Sequence, residues 1–185
     1  MKKLSKILAT TIFFVYLLSF KQVVYAGDFE SGVSAYKNGD IVQAYLHWKK
    51  EAEIGSSVAQ FNLGVLFETG SGVEQNYEKS FKWFQRAALN DHAMSQLKMG
   101  FLNYEDKYNI KNFTEAARWF HLAAAQNNPR AMYRLSMMYT TGKGVEQNSS
   151  SAVELHNRSL DFICSMNVGL ESSVMVPILK ARERS

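Results

Sequence analysis

The segment Gly70-Ser71-Gly72-Val73-Glu74-Gln75-Asn76 returns 72 residues later as Gly142-Lys143-Gly144-Val145-Glu146-Gln147-Asn148, with six of seven positions identical. Half that spacing appears in between. Trp83-Phe84 and Ala87-Ala88 return as Trp119-Phe120 and Ala123-Ala124, 36 residues on, while Trp48 and Ala52 precede Trp83 and Ala87 by 35. A fixed period in the mid-thirties marks a repeat array, in which no unit buries its apolar face alone and each needs a neighbour. That constraint sets the fold before any residue is read for chemistry. It also turns the search for function toward surfaces, because stacked repeats make binding faces more readily than catalytic pockets.

Each unit reads as two amphipathic helices, A then B. In the clearest unit, helix A runs from about Val58 to Thr69, with Ala59, Leu63, Val65, Leu66 and Phe67 at helical spacing. Gly70 and Gly72 stop it, since glycine past a helix end takes the left-handed conformation without steric cost. Asn76 is placed to cap helix B, which runs from about Tyr77 to Asn90 and carries Trp83, Phe84, Ala87 and Ala88 on one face.

Four such units fill residues 27–166. The first spans about Asp28 to Gly55 and the second Ser56 to Asp91. The third spans His92 to Asn127 and lacks the glycine pair. Leu97 and Phe101 are read there in the places of Leu63 and Phe67, with two extra residues before Trp119. The fourth spans Asn128 to Asp161, with Leu135, Tyr139, Gly142 and Gly144 in register and Leu155 where tryptophan is expected. The expected structural core is therefore Trp48, Leu63, Phe67, Trp83, Trp119, Leu135 and Tyr139, with the glycines at the turns. Residues 167–185 form a tail that either caps the last unit or lies in the groove of the array. Pro177 argues against one continuous helix there.

Residues 1–26 read as a secretory signal. Lys2, Lys3 and Lys6 precede a 14-residue apolar run, Ile7 to Phe20, and Val24-Tyr25-Ala26 offers small residues where a signal peptidase reads. The run falls short of the roughly 20 residues that span a bilayer, and Lys21 interrupts it. Cleavage after Ala26 is expected, with no stable membrane insertion afterwards. Cysteine is missing near that point, which excludes a lipid-anchored form. Removing Lys2, Lys3, Lys6 and Lys21 from the 21 Lys and Arg leaves 17 bases against 17 acids, so the chain carries no basic field for nucleic acid. Cys164 is the only cysteine, so the fold rests on its core and not on an internal disulfide.

No catalytic motif is present in the sequence. It holds no Gly-x-Ser-x-Gly, no His-Glu-x-x-His and no phosphate-binding glycine loop, and Gly70-x-Gly72 lies between two helices rather than after a strand. His47, His92, His121 and His156 show no metal-ligand spacing. Neither a cofactor nor a metal is expected.

Ala59, Leu63-Gly64 and Phe67, then Gly70-x-Gly72-Val73, then Trp83-Phe84 and Ala87-Ala88 together resemble the Sel-one-like repeats, a branch of the tetratricopeptide superfamily. The resemblance implies an all-α, right-handed α-solenoid of about four antiparallel helix pairs. It also implies a non-enzymatic protein-binding module, and, with the leader, one exported to a bacterial periplasm or secreted. Cysteine-rich members of the family pair cysteines within each repeat and have been associated with β-lactams. A chain with Cys164 alone departs from them. By the same resemblance the A helices line a concave face, on which Phe61, Val65, Glu68, Met99, Leu102, Tyr133 and Met137 are expected to form a strip that binds another protein or peptide. Two adaptor roles fit: a regulator of an envelope complex, or an immunity protein that neutralises a toxic effector in the periplasm. An envelope hydrolase is the alternative of another class, and the sequence supplies no residues for it.

Overall fold

The structure, a computed structural model, describes the backbone of residues 29–105 and 110–182 and the side chains through Ser165. The leader, residues 1–26, lies outside the described residues. What is described is helical throughout. Helix α1 covers residues 29–37. It is followed by α2 (Ile41–Glu53), α3 (Ser57–Thr69), α4 (Tyr77–Leu89), α5 (Ala93–Glu105), α6 (Phe113–Ala125), α7 (Pro129–Thr141) and α8 (Ser149–Arg182). Odd-numbered helices are the A helices and even-numbered ones the B helices.

The repeat is written in the helix ends. The B helices start at Asn76, Asn112 and Asn148, 36 residues apart, and each asparagine side chain accepts the backbone N–H three residues on. The A helices start at Ser56, His92 and Asn128, again 36 apart, and each side chain accepts the N–H of Ala59, Ser95 or Ala131. A cap of this kind is worth about 1 kcal/mol, because it satisfies a donor that the helix itself cannot. The turns from B to A repeat too. Gly55, Asp91 and Asn127 all have positive φ, at 108°, 56° and 61°.

Two compact units divide at the boundary between Asn90 and Asp91. In the first, α3 packs on α2 and on α4. Its core is Ala44, Trp48, Ala52, Ala59, Leu63 and Leu66, with Trp83 and Phe29 packed at the edge. In the second, α5 packs on α6, α6 on α7, and α7 on α8. Phe120, Met132, Leu135 and Met138 fill its core, and Leu155 takes the tryptophan position of the fourth repeat, 9% exposed. Small residues let the helices close. Ala87, Ala116, Ala123 and Ala131 are fully buried. Gly144 combines φ of 70° with an approach to the Phe113 backbone that leaves no room for a Cβ, so its position admits only glycine.

Buried polar groups follow the same period. Gln60 donates to the Ala52 carbonyl at 3.0 Å and accepts from Asn90 at 3.0 Å. One repeat on, Gln96 accepts from Gln126 at 2.8 Å. A buried amide without such partners would cost a few kcal/mol.

Three sequence expectations change. The third repeat steps by 36, not 34. Gly100 meets Phe120 as Gly64 meets Phe84, and the bond from Asn112 N–H to the Asn103 carbonyl repeats the one from Asn76 to Phe67. Met99 and Asn103 thus take the places of Leu63 and Phe67, with no extra residues before Trp119. Trp48 and Trp119 are buried, but Trp83 is half-exposed under the Arg86 guanidinium, 5.0 Å from its ring. Finally, α8 does not stop near Asp161 and runs through Pro177 to Arg182. A proline removes one helical hydrogen bond and crowds one carbonyl, yet the residues after it can keep helical dihedrals.

Candidate functional site

Among the described residues, no cluster of histidine, cysteine, aspartate or glutamate could hold a metal ion. The histidines have local partners. His92 caps α5, its Nδ1 also 2.9 Å from Ser95 Oγ, and burial pushes its pKa below the usual value. His121 Nε2 lies 2.9 Å from the Tyr139 hydroxyl, and burial lowers its pKa likewise. Cys164 is exposed.

The residues expected to line a binding face separate by unit. In the first, Phe61, Val65 and Glu68 are half-buried, and Phe61 packs on Phe84 with ring centroids 5.6 Å apart. In the second, Tyr133 and Met137 stand exposed one turn apart on α7, at 44% and 42%. Met99 and Leu102 do not join them. They are 1% and 2% exposed, so neither offers a surface to a partner. The register explains this: Met99 holds the core place of Leu63. The residue at the place of Val65 is Phe101, 36 positions on, and it is half-buried.

Phe101 and Tyr133 line an open cleft of about 320 Å³ over α5, α7 and α8. Leu160 and Ile163 close its α8 side, both substantially exposed at 47% and 44%. Arg130 and Arg134 stand one turn apart on α7 and share the Phe101 ring, with guanidinium carbons 5.9 and 4.9 Å from its centroid. His156 lies behind Tyr133, ring to ring at 5.8 Å. The cleft is an aromatic and aliphatic floor with two cations at its edge. Sequence reasoning missed Phe101, Arg130, Arg134, Leu160 and Ile163 as site residues. The 36-residue step from Asn76 to Asn112 carried the signal that would have put Phe101 in register. No described helix is long and apolar enough to cross a membrane.

Helix pairs in a 36-residue repeat, with capped turns and an apolar cleft over α5, α7 and α8, define a helical-repeat scaffold. The Sel1 repeat matches residues 57–92, 93–128 and 129–161, and the chain belongs to that family. It is similar to human protein sel-1 homolog 2, 34% identical over 161 residues that make up 84% of this chain and 23% of that protein. It is also similar to the ERAD-associated E3 ubiquitin-protein ligase component HRD3B of Arabidopsis thaliana, 33% identical over 53% of this chain and 15% of that one. The chain thus spans less than a quarter of the length of these relatives. Among solved structures, a Sel1 repeat protein from Oxalobacter formigenes superposes with a TM-score of 0.66 at 30% identity, over 74% of this chain and 58% of that one. The protective antigen c5321 of uropathogenic Escherichia coli, which displays the SLR fold, gives 0.69 at 31%, over 76% and 31%. The fold is that of the SLR solenoids, and Sel1 repeats mediate contacts between proteins.

Proposed function

We propose that the chain is exported and acts in the cell envelope as a non-enzymatic adaptor, holding a segment of a partner protein against the face that carries Phe101, Tyr133 and Met137. The observation that carries this reading is the cleft of the second unit. An exposed apolar floor with polar edges is what a protein-binding site requires, and Tyr and Arg are the side chains that most often dominate such sites. The names of the relatives support it, since HRD3B is by name a component of a ligase assembly. Export rests on the leader, from Lys2 to Ala26.

Two measurements test the proposal. N-terminal sequencing of the natural product should give Gly27 in the periplasmic fraction; an intact Met1 in the membrane fraction would instead indicate an anchored protein. Cross-linking in intact cells through a photoreactive group at Met137 should yield an adduct with another protein. Labelling by Met137 alone of nothing but lipid or solvent would remove the adaptor role of this face.

A further inference from the structure

The geometry points to an acidic peptide as the occupant of the second unit's cleft: an extended or helical segment with an aspartate or glutamate beside one aromatic or aliphatic anchor. This inference rests on the adaptor reading and specifies the chemistry of the partner.

The argument is one of charge. Arg130 and Arg134 flank the cleft, and none of its lining residues is acidic. Neither arginine has an ion-pair partner among the described residues; their contact is with the Phe101 ring. The same holds along α7 as a whole, which has two arginines and no acid in its 13 residues. Helix α5 beside it carries Lys98, one repeat before Arg134, and its one acid is the terminal Glu105. The N-terminus of α7, capped by Asn128 and opening with Pro129, adds positive potential beside Arg130. An arginine fork offers two parallel donors to a carboxylate, and stacking on Phe101 holds the fork in place before a ligand arrives. Tyr133, Leu160 and Ile163 then leave space for an apolar side chain next to that carboxylate. A long polyanion fits less well, because the chain after Ala26 has balanced charge and the cationic pair is a local feature on an apolar floor.

The test uses the full chain after Ala26 and a displayed library of random 12-residue peptides. Selected peptides should be enriched in Asp or Glu within a few residues of Phe, Tyr, Trp or Leu. Exchanging the acid for its amide in a selected synthetic peptide should weaken binding tenfold or more, and raising salt from 50 to 300 mM should weaken it further. Arg130→Glu with Arg134→Glu should abolish binding of the acidic peptides and, on reselection, favour basic ones. Arg130→Gln, which keeps the stem, guards against a folding defect and should lose part of the affinity. If selected peptides are neutral, bind through Tyr133 and ignore the arginine variants, the acidic preference is wrong while the adaptor reading stands. If no selected peptide depends on Tyr133, both fall. A concentration-dependent dimer broken by the arginine variants would make the occupant a second copy of this chain and overturn the inference.

Discussion

Gly100 lies against the ring of Phe120, so closely that a Cβ added to the glycine would come within 2.5 Å of two ring carbons. Gly64 meets Phe84 in the same way, at 2.6 Å, one repeat earlier. In each unit this contact sets how near the A helix comes to its B helix. Both rings are fully buried, so they have no free side to turn toward. Gly100→Ala should therefore destabilise by about 1–3 kcal/mol through overpacking, despite alanine's better helix propensity. Phe120→Leu in the same chain should recover part of the loss. Urea denaturation of the two single variants and the double variant measures this, and an additive result would show that the two residues do not press on one another.

The tryptophans separate by burial. Trp119 is 2% exposed, and Trp119→Ala should cost about 3–5 kcal/mol through lost packing and the cavity left behind. Trp83 keeps an open face beside Lys79 and Arg86, so Trp83→Ala should cost roughly 1–2 kcal/mol, in proportion to the area it buries. Equal shifts in thermal midpoint for the two would contradict their placement.

Asn127 and Asp91 hold positive φ where the first unit uses Gly55. Asparagine and aspartate tolerate this conformation better than other side chains, but glycine adopts it freely. Asn127→Gly should change stability little or raise it by a few tenths of a kcal/mol, whereas Asn127→Ala should lower it by about 1 kcal/mol. Differential scanning calorimetry of the pair reads the sign directly.

How far the sequence reaches is clearest in the third repeat. The period fixed the helix pairs and their caps, because asparagine at 76, 112 and 148 is both a sequence signal and the group that satisfies the helix ends. It did not fix the register of α5. Leu97, Met99 and Phe101 are all apolar, so a shift of two still finds apolar residues. The polar Asn103 at the place of Phe67 hid the true alignment. Its side-chain amide donates to the Met99 carbonyl at 2.9 Å, so the position stays satisfied without an aromatic ring. The cleft was harder to see, since Leu160 and Ile163 lie at and beyond the end of the fourth repeat unit. The continuation of α8 past Asp161 is what makes them part of a site.

Histidine gives the fold a dependence on pH. The Ser95 N–H donates to His92 Nδ1, so the cap works only while that nitrogen is unprotonated. Burial lowers the folded pKa of His92, and of His121, below the ordinary 6.5. Between the folded value and 6.5 the unfolded chain holds a proton that the folded chain does not. The stability from this source is therefore complete above 6.5 and is lost as pH falls through 6.5 toward the folded value. His92→Ser keeps a capping oxygen without the titration. Its urea midpoint should fall less than that of the wild type between pH 7.5 and 5.5, and an identical fall would rule out the imidazole cap as a source.

The last prediction separates the surface of the second unit from its core. Tyr133 is exposed over the cleft, and Met99, one helix away, is buried. Tyr133→Ala should lower the thermal midpoint far less than Met99→Ala, because Tyr133 is 44% exposed in the free chain. If this ring is a hot spot, the same change should weaken partner binding by more than about 2 kcal/mol. Met99→Ala should do the reverse. It should cost about 2–5 kcal/mol of stability and alter binding only as far as the fold is lost. Lys82→Ala on α4, exposed and paired with Glu78 at 2.6 Å on the same helix, serves as the surface control and should change neither quantity appreciably, since solvent screens an exposed pair of this kind. Calorimetric titration of a cross-linked and purified partner onto the three variants, beside their melting curves, gives both readings. Full affinity in Tyr133→Ala would move the binding site off this cleft.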